Sequence, residues 1–118
     1  MIRGFLNANQ EPIIRLRVRG PRGTEALIEF LIDTGFTASL TLPAPTIAAL
    51  SAGQGVLADG SVTRIDTYYA EVHWDGKWQV VLVSSMGGDP LLGMRMLAGY
   101  ELRVEVKSGG AVEMRKLP

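Results

Sequence analysis

The sequence predicts an all-β chain, a barrel of hairpins carrying one or two short helices. Three observations lead there. Apolar and polar residues alternate with a period of two, Asp-Gly and Gly-rich pairs punctuate the alternating stretches, and the two stretches of helical character are short.

Taken in order, Ile14, Leu16 and Val18 alternate with Arg15, Arg17 and Arg19, which describes a strand with one dry and one wet face. Gly20-Pro21-Arg22-Gly23 then turns the chain. Residues 26–32 read as a nearly continuous apolar strand, of the kind buried on both faces. Residues 43–50 contain two prolines ahead of Thr46-Ile47-Ala48-Ala49-Leu50, a short helix at most. Asp59-Gly60 and Asp75-Gly76 each suit a type I′ hairpin, whose two central residues need positive φ. Residues 80–83 read as another buried strand, and residues 93–98 as one or two helical turns stopped by Gly99. At the end, Leu102, Val104 and Val106 face inward, Ser108-Gly109-Gly110 turns, and Val112 and Met114 return.

No repeat or interdomain linker interrupts the pattern, so residues 1–118 are expected to form a single domain. A chain of this size buries roughly 65% of its unfolded surface, enough for a core. Twelve basic residues balance twelve acidic ones, which gives no electrostatic reason to expect nucleic acid or an anionic membrane as partner. The arginine strip at 15, 17 and 19 reads as the solvated side of a strand. Cysteine is absent, which removes disulfides and thiolate chemistry, and one histidine, His73, leaves little for a metal site. His73 reads as a surface residue. Neither cofactor nor metal is expected. The first twelve residues lack the apolar core of a signal peptide, and no run is long enough to cross a bilayer, so the expected location is cytoplasmic.

The informative segment is Phe30-Leu31-Ile32-Asp33-Thr34-Gly35-Phe36-Thr37-Ala38-Ser39-Leu40. An apolar strand delivers Asp33 into a tight turn, and the chain resumes as a strand. A carboxylate drawn toward a core needs hydrogen bonds or a charge partner, because desolvating it is costly. Thr34 offers a hydroxyl, and Gly35 lets backbone amides approach the carboxylate.

In that order of residues the chain resembles the retropepsin-like aspartic proteases, and within them the small prokaryotic group with an Asp-Thr-Gly-Phe motif. Leu31, Ile32, Asp33, Thr34, Gly35 and Ser39 match the motif, and Leu91-Leu92-Gly93 followed by residues 94–98 matches the late glycine and helix. The resemblance runs from about Pro12 to Gly99. It implies a closed β-barrel with Asp33 as the catalytic residue, and Thr34, Gly35, Ser39 and Gly93 as its support. It also implies a flap around Ala58, Asp59 and Gly60 that closes over substrate together with Phe36.

Two departures stand out. Phe36 occupies a place that is Ala or Ser in many members, and Thr37 and Met94 occupy the places of a retroviral acid–arginine pair, with Arg95 one position further on. That ion pair is not expected here.

Aspartic proteolysis needs two carboxylates that share one proton and a water. The chain has one Asp-Thr-Gly; Asp59, Asp66, Asp75 and Asp89 are not followed by Thr-Gly. The resemblance therefore implies a homodimeric endopeptidase acting on a peptide or protein. It further implies that the C-terminal hairpin, residues 102–117, lends strands to a shared intersubunit sheet. The alternative is a catalytically inactive dimeric module of the same fold that binds peptides or serves assembly.

Overall fold

The structure, a computed structural model, describes residues 1–51 and 67–118. Nine strands make one sheet: β1 (Ile2–Leu6), β2 (Pro12–Arg19), β3 (Glu25–Ile32), β4 (Leu40–Leu42), β5 (Thr67–Trp74), β6 (Lys77–Ser85), β7 (Leu91–Leu92), β8 (Tyr100–Val104) and β9 (Ala111–Lys116). Two short helices interrupt them, α1 (Ala44–Leu50) and α2 (Met94–Leu97). The flap residues Ala58, Asp59 and Gly60 lie outside the described residues.

Six strands close on themselves in the order β3-β7-β4-β6-β5-β2, with β2 returning to β3. One edge of β2 carries β3 over seven residue pairs, from Ile13↔Leu31 to Arg19↔Glu25. The other edge is divided. Its end at Val18 and Arg19 meets β5, while its start at Pro12 and Ile13 meets β1. That division lets the β1-β9-β8 ribbon leave the barrel without breaking it.

Closure gives every barrel strand one inner and one outer face, and the inner residues make the core. Ile14, Leu16 and Val18 of β2, Ile28, Phe30 and Ile32 of β3, and Val81 and Val83 of β6 are buried together with Leu40, Leu42 and Leu92. The same geometry corrects two expectations. Residues 26–32 and 80–83 are not buried on both faces, because the described residues form no second layer on the outer side of each strand. Leu27 is 66% and Val80 67% exposed, and Leu82 is exposed as well. Val106 also fails to face inward; it lies beyond β8 and is 69% exposed.

The turns expected within the described residues form, while the one at Asp59-Gly60 lies outside them. Asp75 and Gly76 have φ of 49° and 84°, as a type I′ hairpin between β5 and β6 requires. The Gly23 amide donates to the Gly20 carbonyl at 3.0 Å and closes the β2–β3 turn. Pro43 stands at the N-cap of α1, where its missing N–H costs nothing. The strand at Ile2–Leu6 carries no alternation that would mark it in the sequence. Asn7 secures it: its Oδ1 accepts the amides of Asn9 and Glu11 at 3.0 and 2.9 Å, which turns β1 into β2.

The arginine strip is a solvated face, as expected. Arg15 pairs with Glu29, Arg17 with Glu25 and Arg19 with Glu71, at 2.8, 3.0 and 3.0 Å. The guanidinium groups of Arg17 and Arg19 lie over Trp78, and His73, half-buried, meets that ring edge-on at 5.2 Å. No helix among the described residues is long and apolar enough to cross a membrane.

Candidate active site

Asp33 follows the last residue of β3. Ile32 is buried, so the strand carries Asp33 to the rim of the core and leaves it half-buried, with Thr34 and Gly35 exposed. The Gly35 amide donates to Asp33 Oδ1 at 2.9 Å, and the Phe36 amide donates to the Asp33 carbonyl at 3.1 Å. Together these make an Asx-type turn that fixes the carboxylate by main-chain contacts. Among the described residues, the Gly35 amide is the only hydrogen-bond donor to the carboxylate, and the Thr34 hydroxyl makes no hydrogen bond.

The two strands joined by this turn are not neighbours. β7 lies between them, parallel to β3 through Leu31↔Leu91 and Ile32↔Leu92, and antiparallel to β4 through Leu40↔Leu92. On one side of β7, the Leu31 amide donates to the Pro90 carbonyl at 2.8 Å and the Asp33 amide to the Leu92 carbonyl at 2.9 Å. On the other side, the Gly93 amide donates to the Ser39 carbonyl at 2.8 Å. The chain then turns into α2, where the Met94 amide reaches the Phe36 carbonyl at 2.8 Å. A segment some sixty residues later in the sequence therefore holds both ends of the Asp33 turn.

Gly93 is where this crossing is tightest. A Cβ there would stand 2.2 Å from the Ala38 carbonyl oxygen, 2.6 Å from Phe36 Cδ2 and 2.7 Å from the Phe36 carbonyl oxygen. Backbone atoms cannot yield as a flexible side chain would, so only glycine fits. The Phe36 ring closes over Gly93 and is half-buried.

No family model matches the chain, and no curated protein matches it. Among solved structures, it is similar to the crystal structure of a retropepsin-like aspartic protease from Rickettsia conorii. The identity is 16%, the TM-score 0.62, and the match covers 97% of this chain and 90% of the other. The chain has a retropepsin-like fold.

Within the retropepsin-like fold, Asp33, Thr34, Gly35, Phe36, Ser39 and Gly93 gather at one place, the turn crossed by β7. Ser39 is buried and serves there through its main-chain carbonyl. The place of the retroviral ion pair is filled by backbone contacts, from Met94 to Phe36 and from the Arg95 amide to the Ala38 carbonyl at 3.3 Å. Among the described residues, the Arg95 side chain has no acidic partner.

One residue of this assembly escaped the reading of the sequence. Thr41 is almost wholly buried in β4, and its Oγ1 accepts the Leu91 amide at 2.8 Å, which ties down the start of β7. A signal existed: a lone threonine between Leu40 and Leu42 must find a partner if the strand is buried.

Proposed function

We propose that the protein is an aspartic endopeptidase whose active site is completed by a second copy of the chain. The observation that carries this reading is the setting of Asp33, a half-buried carboxylate held by the Gly35 amide on a turn clamped by β7, with Thr34 exposed beside it. The chain supplies one such aspartate. Two of them across a twofold axis would share one proton. The ionised carboxylate takes a proton from water as it attacks the scissile carbonyl, and the protonated one polarises that carbonyl. The exposed Thr34 side chains would meet near the same axis. Phe36 would border the substrate, and residues 58–60 would cover it as a closing hairpin.

Within the terminal hairpin, β9 pairs with β1 of its own chain, over Ile2↔Met114 to Phe5↔Ala111, so the strand it would lend to a shared sheet is β8. β8 stands at the end of the sheet order, and its outer edge would remain for a partner.

Two measurements test the proposal together. Sedimentation at micromolar concentration should show a species of twice the chain mass. A pepstatin-type inhibitor, which mimics the tetrahedral intermediate, should bind at one molecule per two chains, with a bell-shaped dependence on pH. Inhibitor binding by a strict monomer, or activity that requires a divalent metal, would exclude the shared carboxylate pair.

A further inference from the structure

A second groove lies on the opposite edge of the barrel wall from β5. β6 pairs with β5 over its whole length from Lys77 to Ser84, but β4 covers its other edge only at Val83, Ser84 and Ser85. Among the described residues, the stretch from Lys77 to Leu82 has no strand on that side. A cavity of about 370 Å³ follows it, with residues 79–82 as one wall and Arg95, Met96 and Tyr100 among the other. Ser39, the residue before β4, closes one end.

The register settles which backbone groups face the groove. A two-residue turn at Asp75-Gly76 makes Trp74 and Lys77 a hydrogen-bonded pair, so the pairs Val72↔Gln79 and Ala70↔Val81 are hydrogen-bonded too. Val80 and Leu82 fall in the other class, and their N–H and C=O groups point away from β5. The Met86 amide, in the same alternation, donates to the Leu42 carbonyl at 3.1 Å on the β4 side. Among the described residues, the main-chain groups that Val80 and Leu82 thus present to the groove in line with β4 have no strand partner, while their side chains stand on the outer surface, 67% and 40% exposed.

An unpaired strand edge is a template for another strand. The side chains around this one say which kind. Among the described residues, Arg95 is the only charged one lining the groove, and no carboxylate of theirs answers it. We propose that the groove is a docking site for an extended peptide bearing a carboxylate, taken up as an added strand along Val80 and Leu82. Alternate residues of the peptide would lie beside the exposed Val80 and Leu82 side chains and favour apolar groups there. The residue between them would turn inward and bring its carboxylate to the Arg95 guanidinium. The groove shares Ser39 with the assembly around Asp33 but is not lined by Asp33 itself, and docking there does not depend on peptidase activity.

The test uses the full chain and two dye-labelled, end-blocked peptides, Thr-Val-Glu-Val-Thr and Thr-Val-Gln-Val-Thr, read by fluorescence anisotropy. The glutamate peptide should bind saturably and about tenfold more tightly than the glutamine peptide. Arg95→Gln should bring the glutamate peptide down to the level of the other. Val80→Pro removes an amide that faces the groove and none that serves the β5 ladder, so it should weaken both peptides alike. Thermal unfolding checks that each variant is folded; if Val80→Pro is not, Arg95→Gln with the two peptides decides. Equal binding of both peptides to the unmodified chain would overturn the proposal. So would a difference that survives Arg95→Gln, or no saturation by about 1 mM. Self-association that Val80→Pro abolishes would assign the edge to a second copy instead.

Discussion

Two aspartates of this chain, Asp33 and Asp75, each follow a buried residue at the end of a strand and enter a tight turn containing glycine. Their surroundings differ in kind. Asp75 joins β5 to β6, which are neighbours, so the whole element is made from residues close in sequence. Its carboxylate reaches outward, accepting the Tyr100 hydroxyl at 2.8 Å and lying 3.6 Å from the Met1 amine. Asp33 joins β3 to β4, which are kept apart by β7, and its carboxylate is held by the turn itself. A hairpin tip can tolerate change because nothing else passes through it. The Asp33 turn is crossed by another part of the chain, and that crossing makes its position rigid.

If this contrast is right, paired substitutions should separate the two turns. The largest difference is in activity: Asp33→Asn should lower peptide hydrolysis by about 10³-fold or more, because an amide cannot act as the base, while Asp75→Asn leaves it unchanged. The fold should persist in both, as seen by circular dichroism. Equal losses of activity would place the chemistry elsewhere than at Asp33.

The next difference is in stability. Gly93→Ala forces a methyl against two carbonyl oxygens and should cost about 3 kcal/mol. At Gly76 an added methyl meets open space but φ is +84°, so alanine should cost only about 1 kcal/mol. Urea denaturation of the two variants ranks them, and the reverse order would mean that the crossing is not tight. A gentler probe of the same crossing is Thr41→Val, which keeps the shape and strands the Leu91 amide, at about 1–3 kcal/mol. Thr41→Ser should recover most of that loss.

The smallest effect concerns pH. The Tyr100 hydroxyl, and after it the Met1 ammonium, hold the Asp75 carboxyl below its ordinary range. A carboxyl lowered in the folded state stabilises the protein above its unfolded pKa of about 3.9, and that stabilisation is lost as pH falls through the folded value. Tyr100→Phe should therefore lower the melting temperature slightly at pH 6, and the gap should narrow below about pH 4. A gap that stays constant with pH would mean that the hydroxyl contributes packing alone.

Much of this molecule was legible in local sequence, because local sequence decides turns and alternation. The Asp75-Gly76 hairpin, the short helix after Pro43 and the buried set Ile14, Leu16 and Val18 follow from which residues accept positive φ, lack an N–H or alternate by polarity. The candidate site was legible by another route, the ordered match of Asp33-Thr34-Gly35 and Leu91-Leu92-Gly93 to a known pattern; composition alone would have left Asp33 an ordinary turn residue. Three features were decided only by the tertiary structure. The outer faces of β3 and β6 are exposed despite their apolar runs, since closing a single sheet leaves no layer outside it. β1 and β9 pair across the whole length of the chain, a partnership that no local signal in either segment marks. The hold on Asp33 comes from β7, some sixty residues later in the sequence and tied down by Thr41, which becomes a neighbour when β3 and β4 part to admit a strand between them.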